Sequence, residues 1–232
     1  MIIGVCGFIG SGKDTIADYL VNFHGFRRES FANSLKDAVS SVFGWDRVLL
    51  EGRTKQAREW REQVDPWWAE RLNMPNLTPR LMLQLWGTEV CRRGFHDDIW
   101  IASLENKLRT SKDHVVISDC RFPNEIKSIK DAGGIVIRVK RGPEPEWYDA
   151  AASMNRGPNG NTNWALSKDC INKLGIHASE TAWVGTKFDA ILTNDGSIDD
   201  LFAKIKDLVL NHLDANEHPL YEGHADSLHT PS

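Results

Sequence analysis

The first fourteen residues, MIIGVCGFIGSGKD, constrain this chain more than any other stretch. An apolar run long enough for a buried strand ends at Gly7, and the spacing G-x-x-x-x-G-K follows with Gly7, Gly12 and Lys13. A helical pattern opens at once, with Ile16, Tyr19, Leu20 and Phe23 on one face. Strand, glycine-rich turn and helix in that order are the context in which backbone N–H groups close around phosphate oxygens at a helix N-terminus. Lys13 then reaches the terminal phosphates as a point charge. The bland alternative is a plain glycine-rich turn, and both flanks argue against it.

Asp14 stands where such loops usually place Ser or Thr to hold Mg²⁺. A carboxylate is also a hard oxygen ligand, so Asp14 can take that place directly or through water, leaving the Thr15 hydroxyl for phosphate. The alternative is an acid that complements the helix dipole.

Further strand-like runs lie at 2–8, 114–120, 134–140 and 188–194, with helical stripes at 13–23, 35–43 and 198–213. Near-continuous apolar strands alternating with helices predict an α/β fold with a central parallel sheet covered on both faces. Its ligands should sit beyond the carboxyl ends of the strands. Two segments break the rhythm. Residues 44–97 are rich in Trp, Arg and Glu, and 141–187 read as a surface excursion or lid because Gly, Pro and Asn dominate their middle. The chain therefore reads as one domain over 1–213, with insertions at about 44–97 and 141–187 and a flexible tail at 214–232.

Composition narrows the classes. With 28 basic against 32 acidic residues, nothing at whole-chain level suggests nucleic acid or an anionic membrane as partner. No apolar run approaches the roughly 20 residues of a membrane helix, and the start lacks a basic n-region, so a cytoplasmic protein is expected. The four cysteines are scattered without metal or disulfide spacing.

Asp119 ends the second strand-like run in VVISDCRFPNE, where a carboxylate commonly orients Mg²⁺ or its waters. Arg121, two residues on, can bridge transferring phosphates bidentately, unless the two simply pair with each other. In LQLWGTEVCRRG, the residues Gln84, Trp86, Thr88 and Arg92 share a helical pattern that breaks at Gly94. Gln and Thr can read base edges, Trp can stack and Arg can hold a monophosphate, although a Trp at helical spacing is more often core. His177 and Glu180 in HASET read as lid contacts or as a loop and helix cap. LTNDGS, with Asn194 and Gly196, reads as backbone flanking a base or as a turn into a helix capped by Ser197.

In the segments GSGKDT, LQLWGTEV, SDCRFPNE, HASE and LTNDGSIDDLFAKIKD, the chain resembles the phage deoxynucleoside monophosphate kinases. The resemblance spans nearly the whole domain, and Asp14 matches that family's pattern. It implies a three-layer P-loop NTPase fold of the nucleoside monophosphate kinase kind. It also implies transfer of the ATP γ-phosphoryl group to deoxynucleoside monophosphates with Mg²⁺, in the host cytoplasm, and it admits a homodimer. Carried onto this sequence, Gly10, Ser11, Gly12, Lys13, Asp14 and Thr15 would hold ATP phosphates and metal, and Asp119 would support Mg²⁺. Arg121 would face the transferring group, Gln84, Trp86, Thr88, Arg92 and Glu180 would line the acceptor site, and Asn194 and Gly196 would lie near adenine. The rivals are a P-loop kinase of another metabolite, of dephospho-CoA or phosphomevalonate type, and an ATP-binding regulator without turnover.

Overall fold

A computed structural model describes residues 1–159 and 161–217. The chain begins β1 (Ile2–Cys6), α1 (Lys13–His24), β2 (Arg27–Glu29) and α2 (Asn33–Phe43). Four short helices follow, α3 (Arg47–Glu51), α4 (Lys55–Arg61), α5 (Pro66–Arg71) and α6 (Pro79–Gln84), then a π-helix (Leu85–Arg93) and α7 (Ile99–Leu108). The second half runs β3 (Val115–Cys120), α8 (Pro123–Asp131), β4 (Ile135–Lys140), α9 (Tyr148–Asn155), α10 (Trp164–Leu174), α11 (Ala178–Thr181), β5 (Ala190–Thr193) and α12 (Ile198–Glu217).

All five strands are parallel in the order β2-β3-β1-β4-β5. Their buried side chains divide between two faces as the period of two requires. Ile3, Val5, Val116, Ile137 and Val139 pack with Ile16 and Leu20 of α1 and with Leu201 and Ile205 of α12. Cys6, Val115, Ile117 and Val136 pack with residues of α7, α8 and α9. The result is a three-layer α/β domain, and central β1 delivers the loop 7–12 to the middle of the sheet's carboxyl edge.

The apolar runs foretold four strands, and the fifth is β2. It is only three residues long, reads Arg-Arg-Glu and pairs with β3 at the sheet edge, so it carries no apolar alternation. At the opposite edge β5 buries only Leu192 of its four residues.

Segment 44–97 is built mostly of short helices, and their starts are written in side-chain caps. Asp46, Thr54, Asp65 and Thr78 each accept a backbone N–H from the first turn that they open. Proline at the first helical position sharpens two of them, at Pro66 and Pro79. These helices and α2 enclose their own cluster, in which Phe43 stacks on Trp45 at 4.5 Å and meets Trp68 edge-on at 4.8 Å.

Segment 141–187 is not a loop excursion. It forms α9, α10 and α11, and its Ala151, Trp183 and Val184 belong to the main core. Trp183 is 1% exposed and lies 4.6 Å from the Phe8 ring of the phosphate loop. Burying an indole removes on the order of 200 Å² from water, about 5 kcal/mol before entropy, so this part of the segment is anchored. Of the tail expected from residue 214, α12 continues through Glu217 and residues 218–232 lie outside the described residues. Among the described residues, no helix is long and apolar enough to cross a membrane.

Candidate active site

The loop between β1 and α1 is shaped by two glycines that no other residue could replace. Gly7 has φ +144°, and a Cβ there would meet Val139 O at 2.4 Å. Gly12 has φ +109°, and its Cβ would strike Asn194 Nδ2 at 2.5 Å. Asn194 closes the loop from the other side by donating Nδ2–H to Ser11 O (2.8 Å). Lys13 Nζ donates to Phe8 O (2.7 Å), so the lysine folds over its own loop. Burial lowers its pKa, and the nearby Arg121 charge lowers it further. Beside this cradle is a cleft of about 440 Å³ lined by Gly10, Lys13, Thr15, Arg141, Asn194 and Gly196, among others. Ser197 Oγ accepts from Asp200 N–H, so LTNDGS caps α12 and borders the cleft at the same time.

Asp14 points outward with its side chain 80% exposed, and Arg28 of β2 pairs with it. Arg28 also donates to Asp18 (2.7 Å) and to Ser118 Oγ (2.8 Å). A guanidinium thus sits against the carboxylate that stands at the position of the usual hydroxyl.

Asp119 and Arg121 do not pair with each other. Both Asp119 oxygens serve the loop before α2: Oδ2 accepts from Ser30 Oγ (2.5 Å) and Ala32 N–H (3.0 Å), and Oδ1 from Phe31 N–H (3.2 Å). Asp119 therefore fixes the segment between β2 and α2. Arg121 Nη1 donates to Glu180 Oε1 (2.5 Å), a bond that joins the end of β3 to α11. His177 caps α11 by accepting Ser179 N–H at Nδ1 (3.2 Å), and burial lowers its pKa, which favours the neutral ring that this bond needs.

Arg92, expected to hold a monophosphate, is only 6% exposed and bonds Asp97, Glu125 and Asn124. That expectation is corrected: the guanidinium is spent on protein partners and has no open side. Gln84 ends α6, while Trp86 and Thr88 lie on the π-helix, all three half-buried. Trp86 packs edge-on to Phe43 at 6.0 Å, so at least part of its ring is core.

On the β2 side is a second cavity of about 380 Å³, lined by Arg28, Ser30, Asn33, Arg47, Glu51 and Arg53 among others. Glu51 bonds Lys36 (2.9 Å) and Arg47 (2.7 Å). Burial pushes its carboxyl up, but the two cations outweigh burial and hold it at about 2 against an ordinary 4.5. The depressed value means stability that is full above pH 4.5 and is lost as pH falls through 4.5 towards 2. Glu51→Gln should therefore be less stable than wild type at pH 6, by about 1–2 kcal/mol after solvent screening. The gap should vanish near pH 2, and denaturant midpoints at both pH values check it; an equal gap at both would contradict the linkage.

The sequence reading missed Arg28, Arg47 and Arg141. Arg28 lies on the short polar strand that periodicity could not detect. Arg141 directly follows β4, so the rule that ligands sit beyond strand ends was sufficient to find it. Arg47 follows the cap Asp46, a signal that marks a helix and says nothing of a cavity.

The chain is 35% identical over 153 residues to a protein of Acanthamoeba polyphaga mimivirus named a deoxynucleotide monophosphate kinase, covering 61% of this chain and 74% of the relative. It is 27% identical over 180 residues to the deoxynucleoside-5'-monophosphate kinase of Escherichia phage T5, covering 56% of this chain and 72% of that protein. Similar solved structures include shikimate kinase from Aquifex aeolicus, with TM-score 0.43, 13% identity and coverage of 94% and 98% of the two chains. Dephospho-CoA kinase from Campylobacter jejuni has TM-score 0.37, 16% identity and coverage of 90% and 96%. No family model matches the chain.

Proposed function

This chain belongs to the deoxynucleotide monophosphate kinase family and is a kinase, and we propose that it transfers the γ-phosphoryl group of ATP to deoxynucleoside 5'-monophosphates, giving ADP and deoxynucleoside diphosphates. The observation that carries this reading is the glycine cradle itself, in which Gly7 and Gly12 take positive φ, Lys13 Nζ folds back over the loop and Asn194 closes it beside the cleft of about 440 Å³. Phosphoryl transfer passes through a loose transition state, so a protein contributes alignment and charge more than covalent chemistry. Lys13 at the glycine cradle, with Arg141 lining the same cleft, supplies such charge.

Gly10, Ser11, Gly12, Lys13 and Thr15 hold the ATP phosphates, and Asn194 and Gly196 border the adenine. Asp14 is the residue that fits Mg²⁺, because its exposed carboxylate already holds a cation, Arg28. Asp119, whose oxygens each accept from the loop before α2, would lend its negative charge to a metal held nearby. Mg²⁺ bound there neutralises phosphate charge and orients the donor. Arg121 faces the group in transfer. Its partner Glu180, with Gln84, Trp86 and Thr88, borders the acceptor. Arg141, at the start of segment 141–187, lines the cleft and adds a cation beside the phosphates.

A coupled ADP-release assay tests the reading with Mg-ATP against each deoxynucleoside monophosphate, its ribo counterpart, dephospho-CoA and phosphomevalonate. Turnover is expected with one or more deoxynucleotides, and ATP consumption without an acceptor should be at most a few per cent of it. Turnover with dephospho-CoA or phosphomevalonate alone, or ATP binding with silence across the panel, would overturn it.

A further inference from the structure

Arg92 lies near the end of the π-helix, and two of its three bonds reach the segment that follows Arg121, the third going to Asp97. Nη1 donates to Glu125 Oε1 (3.0 Å), Nη2 to Asn124 Oδ1 (2.8 Å) and Nε to Asp97 Oδ1 (2.9 Å). The guanidinium also lies over the Phe122 ring, 3.8 Å from its centroid. Glu125 passes the contact on: its second oxygen, Oε2, accepts the backbone N–H groups of Arg121 (2.8 Å) and Phe122 (3.0 Å). Both Arg92 and Glu125 are buried, so neither bond is shared with bulk water. Charge-assisted hydrogen bonds in such surroundings are stronger and more directional than surface pairs.

We propose that Arg92 is a positioning residue which, through Glu125, fixes the backbone from which Arg121 projects and so ties the π-helix to the phosphoryl-transfer centre. The inference rests on the reading of Arg121 as the residue facing the transferring group. Two further observations support it. Burial pushes the Glu125 carboxyl up to about 7, with the Asp119 charge adding to it, so Arg92 and the two backbone donors are what favour the ionised acceptor. The π-helical run is also unusual at nine residues, and π-helical turns commonly mark functional sites. Here the run turns Arg92 inward onto the loop while Val90 and Arg93 remain exposed. An acceptor seated against Trp86 or Thr88 would act on the same element that holds Arg121 in place.

Steady-state kinetics of Arg92→Met, Arg92→Lys and Glu125→Gln, each alone and combined with Arg121→Ala, test this. A misplacement of about 1 Å can cost on the order of 100-fold, so Arg92→Met should lower kcat by roughly 10–100-fold with the acceptor KM within about 3-fold. Arg92→Lys should recover part of the loss. In the Arg121→Ala background the Arg92 and Glu125 changes should cost little more, because the residue they position is gone. An acceptor KM raised by about 10-fold or more at unchanged kcat would make Arg92 a substrate ligand and overturn the proposal. So would losses that multiply in the double variants. Thermal midpoints accompany every variant; if Arg92→Met fails to fold, Arg92→Lys and Glu125→Gln carry the same cycle. A wild type inactive on every deoxynucleotide would sink the kinase reading and this one with it, whereas an active wild type with multiplying losses overturns this one alone.

Discussion

Lys13→Ala is expected to lower kcat by about 10²–10³-fold, or ~3–4 kcal/mol of transition-state stabilisation, while ATP affinity changes by less than about 10-fold. The asymmetry follows from what the ammonium does before transfer. Lys13 Nζ already bonds Phe8 O at 2.7 Å, so binding ATP exchanges one oxygen partner for another and gains little net energy. As charge moves toward the bridging oxygen, the contact strengthens without further reorganisation, and its loss is felt in kcat. Nucleotide binding by fluorescence titration and single-turnover rates on the same preparation separate the two. Equal losses in kcat and in ATP binding would show that Lys13 merely anchors the nucleotide.

Arg121→Ala is expected to cost at least as much in rate, about 10³-fold, in line with what a guanidinium contributes when it stabilises a transferring phosphoryl group. Its effect on folding should be small. Arg121 and Glu180 have side chains 37% and 25% exposed, and solvent screening leaves an ion pair of that kind about 1 kcal/mol or less. Arg121→Lys should restore only part of the rate, because an ammonium cannot match phosphate bidentately. A rate loss that tracks loss of thermal stability would instead make the Glu180 contact structural and place the transferring group elsewhere.

The parts of this architecture that repeat a period were legible in the sequence. Buried β1, β3 and β4 and most of the stripes of α1, α2 and α12 stand where the apolar patterns predict them, although Phe23 and Ile198 at stripe ends are exposed, and the glycine spacing marks the cradle. Polar structure was harder to read. Strand β2 is held by its neighbour β3 and not by its own propensity, so Arg28 and its grip on Asp14 were invisible. Arg92 carried the right charge at a plausible spacing, but a sequence cannot show that Asp97, Asn124 and Glu125 fold back to consume it. Trp183, in a segment whose glycines and prolines suggested an excursion, is core, packed against the rings of Phe8, Tyr148 and Phe188. Two of the helices of 44–97, α5 and α6, were announced by Asp-Pro and Thr-Pro pairs that a reading tuned to apolar stripes passes over.

Asp14 links these observations. An acid at the mouth of a phosphate cradle is repulsive until a cation covers it, and in the protein alone Arg28 is that cation. In the proposed reading Asp14 would hold Mg²⁺ there, and Arg28 also borders the cavity that it shares with Arg47 and Arg53.

The most direct test is to follow the label of [γ-³²P]ATP in the presence of Mg²⁺ and a mixture of the deoxynucleoside monophosphates. Label should appear in a deoxynucleoside diphosphate in one-to-one ratio with ADP, and should appear about 10²–10³-fold more slowly with Lys13→Ala under the same conditions. Label released as inorganic phosphate, or retained in ATP while the wild-type protein still binds it, would contradict phosphoryl transfer to a deoxynucleotide.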